Sequence, residues 1–259
     1  MLDQSSNEQR GKKPRRDKGT RLLTSRDVWV LRWIGEQYCA RFDQVQQLLS
    51  RQPLHRDQAK APGPGGLTAS AVGQVLARWQ QDPAYVQYER VYVERPGWIW
   101  LTPYGERALD LPYARHTLRE SRLTHRYYIN LVRLDYEARH PGAVWTSERA
   151  ILAQLPQRNS GEAVPHVPDG IITCEDGRGA IAIEVELSPK KDAELDTVLA
   201  GLIGGDRPRY RSVWYFVSDQ DPVHIQAWRA VAAARERLPI ELQKRMQLID
   251  LVKVGVRQS

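Results

Sequence analysis

Hydrophobic residues recur at helical spacing three times in the first third of the chain. Each of the first and third runs follows a hydroxyl residue able to cap a helix, Thr24 or Ser25 in one case and Thr68 in the other. The apolar positions are Val28, Leu31, Ile34 and Tyr38, then Val45, Leu48 and Leu49, then Val72, Val75, Leu76 and Trp79. The pattern predicts three helices. The segment 52–67 contains Pro-Gly-Pro-Gly-Gly and is predicted to be a loop.

Two strands and a short helix are predicted next. Segments 85–94 and 98–101 have strand composition and are joined by a turn at Arg95-Pro96-Gly97. Thr102-Pro103 opens a helix, because proline suits the first helical position. Residues 113–140 then form a long amphipathic helix with Leu118, Leu123, Tyr127, Leu131 and Leu134 on its buried side. Beyond it the pattern predicts a strand at 143–146, a loop at 155–165, a helix at 192–203, a strand at 212–217, a helix at 222–237 and a strand at 246–254.

Between the 155–165 loop and the 192–203 helix, the sequence HVPDGIITCEDGRGAIAIEVELSPKK predicts a β-hairpin. Asp176-Gly177 is a strong signal for a two-residue turn. Counting outward from that turn places Asp169 directly opposite Glu184, about 5 Å apart at Cβ. Along the second strand the apolar side chains Ile181, Ile183, Val185 and Leu187 point one way, and Ala182, Glu184, Glu186 and Ser188 point the other.

Three carboxylates, Asp169, Glu184 and Glu186, therefore converge on one face. Such groups repel one another unless a positive charge lies between them, and Mg²⁺ or a similar hard cation prefers oxygen ligands. Two alternatives stay open at this point. Many strands alternate apolar and acidic residues because one face is wet, and a slip of one residue would move Asp169 to the other face.

Composition is that of a globular chain with ordinary charged and apolar fractions. No apolar run approaches the ~20 residues of a membrane span, and no apolar signal segment begins the sequence, so we expect a cytoplasmic location and no membrane partner. Cys39 and Cys174 are far apart, each inside an apolar pattern, and are expected to be buried thiols.

The net charge of +7 is unevenly distributed. Residues 1–115 hold 18 Lys and Arg against 12 Asp and Glu, whereas residues 116–259 hold 20 against 19. Much of the excess lies in a polar tail, residues 1–20, which we expect to be disordered when free. Its cations Lys12, Lys13, Arg15 and Arg16 are candidates for phosphate contacts, the alternative being a solubilising tail.

Three helices followed by a hairpin is the order of a winged helix, and RPGWIWLTPYGERAL resembles the wing and closing helix of many bacterial winged-helix DNA-binding domains. The resemblance implies that the third helix enters the major groove and that the wing follows the backbone. Ser70, Gln74 and Arg78 would then face bases, and Arg90 and Arg95 phosphates. A solvated helix face and a protein-interaction module are the alternatives.

The order of elements after residue 113 resembles the core of the PD-(D/E)XK nuclease superfamily. Pro168-Asp169 matches its PD, and Glu184-Val185-Glu186 occupies the (D/E)-X-K position. The winged helix followed by HVPDG and IEVELSPK is also similar to the replication-relaxation family of actinobacteria and plasmids. The expected fold is α+β or α/β, with a winged helix over 21–112 and, over 113–259, a PD-(D/E)XK-like αβββαβ core around a mixed central sheet.

The resemblance also implies roles for particular residues. Asp169, Glu184 and the backbone carbonyl of Val185 would hold Mg²⁺ or Mn²⁺, which activates water and neutralises charge on the phosphate. Glu186 stands where most relatives have lysine, and Lys190 is placed to supply the missing positive charge. Glu148 and His166 are weaker candidates, each more simply a surface residue, and His125 is most simply a packing or capping histidine.

Two functions follow as expectations. The first is a metal-dependent DNA endonuclease or nickase of a plasmid or other mobile element. The second is a catalytically inactive DNA-binding regulator or accessory factor in plasmid replication, transfer or transcription. DNA is the expected partner in both, with a homodimer or other mobile-element proteins as further partners.

Overall fold

The structure, a computed structural model, describes residues 23–254 except 52–65, 114–117, 156–164, 174–176 and 178. It is a mixed α+β fold with one three-stranded and one five-stranded sheet. The tail 1–20 and the Asp176 turn position lie outside the described residues. No helix in the described ranges is both long and apolar enough to cross a membrane.

The N-terminal part, residues 23–113, contains four helices and a small sheet. In chain order these are α1 (Ser25–Glu36), β1 (Ala40–Arg41), α2 (Phe42–Arg51), α3 (Ala69–Trp79), β2 (Val86–Glu89), β3 (Trp98–Leu101) and α4 (Pro103–Ala108). Thr24, Thr68 and Thr102 cap α1, α3 and α4 through side-chain oxygens, as the sequence predicts for each start. The sheet order is β1-β3-β2, antiparallel throughout.

The C-terminal part, residues 118–254, is built on the larger sheet. Its elements are α5 (Glu120–Arg139), β4 (Val144–Ser147), α6 (Glu148–Gln154), β5 (Gly170–Thr173), β6 (Ala180–Val185), α7 (Asp192–Ile203), β7 (Ser212–Val217), α8 (Ile225–Arg237), α9 (Ile240–Gln243), β8 (Met246–Asp250) and a 3-10 turn at Leu251–Lys253. The strand order is β4-β5-β6-β7-β8. The pairs β4–β5 and β5–β6 are antiparallel, whereas the pairs β6–β7 and β7–β8 are parallel, so the sheet is mixed.

Both faces of the larger sheet are covered. Ile181, Ile183 and Val185 pack with Ile129 and Val132 of α5 on one side. On the other side Ala182 packs with apolar residues of α7 and α8. Because β6 is central and covered on both faces, polar side chains on it are forced into the interior or into a cleft.

Several predicted boundaries differ from the observed ones. The strand predicted over 85–94 ends at Glu89, because Glu89 pairs with Trp98 and residues 90–97 form the connection between β2 and β3. The last strand ends at Asp250, whose side chain accepts a bond from the Val252 N–H and starts the 3-10 turn. Helix α6 was not predicted, although Ser147 caps it through the Ala150 N–H.

Helix α5 contacts both parts of the molecule. Leu134 belongs to the core of the N-terminal part. Leu123 packs with Cys39 and Trp98 in a separate cluster between the two parts. Ile129 belongs to the core against the large sheet. One stiff helix therefore links the two sheets.

Candidate functional site

The hairpin of β5 and β6 has the register that the Asp-Gly turn predicts. Gly170 pairs with Ile183 and Thr173 with Ala180, so the next position along places Asp169 opposite Glu184. The Val185 N–H donates to Asp169 Oδ2 at 2.8 Å, which fixes the aspartate against the carboxyl end of β6. The predicted register of the hairpin is confirmed, and extending it by one residue sets Asp169 opposite Glu184.

These carboxylates border a cleft of about 670 Å³. Asp169, Glu184 and Glu186 all line it, together with cationic and imidazole side chains of Arg122, His125, His166, Lys190 and His224. Glu184 and Glu186 are 4% and 5% exposed. The cleft lies at the carboxyl ends of the parallel strands, where open α/β sheets usually bind ligands.

His125 of α5 closes the Asp169 end of the site. Its Nε2 lies 2.8 Å from the Val185 carbonyl oxygen and 3.3 Å from Asp169 Oδ2. Burial works against the charged imidazole, but the neighbouring Asp169 carboxylate outweighs burial and raises the pKa of His125. For Asp169, burial opposes ionisation, yet His125 outweighs it and lowers the pKa of the carboxyl group. Both shifts favour the charged form of the group concerned.

His166 holds Glu184 at the other end. His166 Nε2 lies 2.6 Å from Glu184 Oε1. Burial raises the pKa of Glu184 to about 7 despite the hydrogen bond from His166, and the charge of Asp169 adds to the rise. The hydrogen bond to Glu184 raises the pKa of His166. Because the two side chains are within hydrogen-bonding distance, a proton can pass between them within the cleft.

Glu186 forms an ion pair with Lys190, four residues further along the chain. Lys190 Nζ lies 2.5 Å from Glu186 Oε2, and the Glu186 N–H donates to the Phe216 carbonyl at 3.0 Å. Burial disfavours the charged lysine, but Glu186 outweighs burial and raises the pKa of Lys190. Lys190 therefore places a fixed positive charge beside the position that the family resemblance assigns to lysine.

Two residues, Glu148 and His125, are more closely involved in the site than the sequence predicted. Glu148 starts α6, lines the cleft and pairs with Arg126 at 2.7 Å, rather than lying free on the surface. His125 faces the sheet rather than capping a helix. Its position precedes Ile129, Val132 and Tyr136 by four, seven and eleven residues, all buried on the sheet side of α5. A histidine on an otherwise apolar helix face was the available signal.

The predicted DNA-contacting residues of the N-terminal part are spread over two elements. Ser70 and Gln74 are exposed on α3, and Arg90 and Arg95 are exposed between β2 and β3. Arg78 is half-buried and already engaged, since its Nη2 lies 2.6 Å from Oδ1 of the buried Asp27. Lys12, Lys13, Arg15 and Arg16 lie outside the described residues.

Carboxylate and carbonyl oxygens are the donors that Mg²⁺ and Mn²⁺ accept, and the buried pair Asp169 and Glu184 is of this kind. The raised pKa of Glu184 shows that burial and its neighbour disfavour its charge, which a cation would offset. In the described ranges, however, no group of three or more His, Cys, Asp or Glu side chains is close enough to hold a metal ion. His125 already bridges Asp169 and the Val185 carbonyl.

Comparison with protein-family models, with curated proteins and with solved structures finds no match to this chain. What the site can do is therefore argued from its geometry and chemistry.

Proposed function

We propose that this chain is a DNA-binding protein of a plasmid or other mobile element that nicks or cuts DNA with the help of Mg²⁺ or Mn²⁺. One observation carries the proposal: Asp169 and Glu184 are opposed across a hairpin and border a cleft at the carboxyl end of a central parallel strand. That arrangement fits a PD-(D/E)XK-like centre, and the sequence resemblance of HVPDG and IEVELSPK to the replication-relaxation family, which no family model matches here, points the same way.

The residues of the cleft suit phosphodiester hydrolysis. Asp169, Glu184 and the Val185 carbonyl would hold the cation, which when bound lowers the pKa of a water molecule and offsets charge on the phosphate. His166, which lies within hydrogen-bonding distance of Glu184, can take the proton that an attacking water loses. Lys190 adds positive charge to the cleft.

The N-terminal part suits DNA binding of the winged-helix type. The order of three helices and a three-stranded antiparallel sheet supports this assignment. Ser70 and Gln74 are exposed on α3, while Arg90 and Arg95 are exposed on the connection that would be the wing. Arg78 would contact a base only by leaving Asp27.

The test is incubation of supercoiled plasmid with the protein in Mg²⁺, in Mn²⁺ and in EDTA. Wild type is expected to nick or linearise the plasmid only with metal. Asp169→Asn and Glu184→Gln are expected to lower the rate at least ~100-fold, since each removes one charged ligand. Glu194→Gln, a change of an exposed glutamate on α7, is the matched control and should cut like wild type. Equal cutting by all three variants would refute the proposed centre.

A second candidate is a DNA-binding regulator or accessory factor that does not cut. The specific observation in its favour is that all three carboxylates have nitrogen partners from the chain itself, namely His125, His166 and Lys190. This candidate predicts gel shifts with intact plasmid in every lane. It also predicts no change of melting temperature with Mg²⁺ or Mn²⁺, whereas a cation that binds only the folded state raises it.

A further inference from the structure

A second cavity, of about 210 Å³, lies where the connection between β2 and β3 meets α5. Its walls are mostly aromatic and cationic. They are formed by Arg41, Tyr92, Arg95, Trp98, Tyr127 and Tyr128. The volume is below the ~300–1,000 Å³ of sites for drug-sized ligands, so the cavity suits a single flat ring rather than a whole nucleotide.

The side chains of this pocket are held in place before any ligand arrives. Arg41 donates to both oxygens of Asp43, at 2.7 and 2.6 Å, and its guanidinium lies 3.8 Å from the ring centroid of Tyr127. The Tyr127 and Tyr128 rings meet edge to face at 5.4 Å between centroids. Tyrosine and arginine planes fixed in this way are the surfaces on which unpaired bases stack.

Trp98 forms a buried part of the pocket wall. It is 3% exposed, and its indole N–H, which is itself buried, has no hydrogen-bond partner among the described residues. Arg95 is exposed at the rim, 5.6 Å from the Tyr92 ring centroid, where it can meet a phosphate.

The pocket adjoins the acidic cleft. Thr124 of α5 lines both cavities. Tyr128 of the pocket contacts His224 of the cleft, with ring centroids 6.0 Å apart. A strand whose base occupies the pocket could therefore run on towards the cleft that Asp169 and Glu184 line.

We propose that this pocket holds one unstacked base of single-stranded or locally unpaired DNA and delivers the adjoining strand to the cleft. The proposal rests on the proposed function in assigning DNA as the ligand. The pocket would thereby define a class of substrate, namely DNA whose cut strand is unpaired where it enters the pocket.

The test measures binding rather than cutting, in EDTA, by fluorescence anisotropy with a labelled oligothymidylate and with a duplex of equal length. Tyr92→Leu and Tyr128→Leu are expected to weaken single-strand binding about tenfold and to leave duplex binding unchanged. Tyr128→Phe keeps the ring and should bind like wild type. Tyr104→Leu is the control, because Tyr104 is a half-buried tyrosine of α4 that does not line the pocket.

A second measurement uses wild-type protein and so does not depend on a variant folding. A strand carrying 2-aminopurine should lose fluorescence on binding, since stacking quenches that base. Absence of quenching at every position of the strand would overturn the proposal. So would equal single-strand affinities of Tyr92→Leu, Tyr128→Leu and Tyr104→Leu, or equal losses on single strand and duplex.

The two proposals fail separately. Intact plasmid together with pocket-dependent single-strand binding would refute the nuclease and support the pocket. Metal-dependent nicking by a protein whose tyrosine variants bind single strands normally would support the nuclease and refute the pocket.

Discussion

Glu184 is a buried residue whose environment disfavours its charge. Burial raises the pKa of its carboxyl group from 4.5 to about 7. A carboxyl group whose pKa is higher in the folded than in the unfolded state stabilises the fold while it is protonated. That contribution is complete below about pH 4.5 and is lost as the pH rises towards 7. Near pH 8 the folded protein carries an unfavourable buried charge.

Glu184→Gln should therefore raise stability in a pH-dependent way. Glutamine stays neutral, so we expect little difference from wild type at about pH 5 and a gain of about 2 kcal/mol in the free energy of unfolding at about pH 8. Urea denaturation in EDTA at both pH values measures it. Glu194→Gln, the exposed control, should show no such trend, and a wild type more stable than Glu184→Gln at about pH 8 would contradict the argument.

Cys39 gives a second prediction at this scale. Burial raises the pKa of its thiol to about 12, so almost no reactive thiolate exists near pH 8. In a Cys174→Ser background, Cys39 should react with a thiol reagent only after unfolding, at least ~100-fold more slowly than in urea. Rapid labelling of the native protein would show that the contact between Cys39, Trp98 and Leu123 opens readily.

Single-residue reasoning from the sequence was most successful where geometry is simple. The opposition of Asp169 and Glu184 follows from locating the Asp176-Gly177 turn and counting residues outward along both strands. The structure has that register. His125 was interpreted as a packing or capping histidine, because its contacts with Asp169 and the Val185 carbonyl depend on how α5 crosses the sheet. His166 is close to the motif in sequence and was a weaker candidate, but its contact with Glu184 could not be assigned from the sequence.

At the scale of elements, the ends of helices were predicted better than some of their starts: the long helix predicted over 113–140 begins only at Glu120, and the helix predicted over 222–237 begins at Ile225. The bounds predicted for β3, α7 and β7 are the observed ones. Short elements were less accessible. Helix α6 depends on Ser147 as a cap and on Arg149, whose guanidinium donates to the Gly35 carbonyl at 2.6 Å. This tertiary contact stabilises a helix too short to persist by propensity alone.

Gly170, at the start of β5, makes room for the Trp145 ring of the neighbouring strand β4. A Cβ atom there would lie 2.3 Å from the Trp145 ring, so the strand can pair with β4 only because position 170 has no side chain. Gly170→Ala should destabilise the fold by about 1–3 kcal/mol through overpacking. Since Gly170 follows Asp169, metal-dependent cutting should fall as well.

Gly201→Ala is the matched control for Gly170→Ala. Its Cβ would meet nothing within 4 Å, and position 201 lies inside α7. It should be neutral or stabilising by up to about 1 kcal/mol, since alanine favours the helix. Thermal denaturation of both variants checks the pair, and equal shifts would show that packing at Trp145 is not the cause.

At the scale of the whole molecule, ion pairs join the two parts along α5 and α6. Arg149 of α6 pairs with Glu106 of α4 at 2.6 Å, and Arg133 of α5 pairs with Glu36 of α1 at 2.7 Å. Tyr38 receives two guanidinium groups over its ring, those of Arg126 at 4.1 Å and Arg149 at 5.2 Å. The order of elements predicts a boundary near residue 113 but not these ion pairs, because the partner of an arginine on another element has no signature in the local sequence.

Glu106→Gln tests this connection. It removes the carboxylate of the ion pair between Glu106 and the 5%-exposed Arg149, so we expect a loss of about 3 kcal/mol in the free energy of unfolding. Because α5 belongs to both cores, calorimetry should show one transition in wild type. Two well-separated transitions in wild type would refute the coupling of the two parts.

The sharing of α5 by both cores has a further consequence for where a strand would be cut. Because α5 packs in both cores, the exposed face of α3 and the acidic cleft are expected to stay at a fixed distance from each other. If both proposals hold, breaks would fall at a constant number of nucleotides from the bound sequence, on one chosen strand. Sequenced ends would then form a single sharp peak rather than a spread.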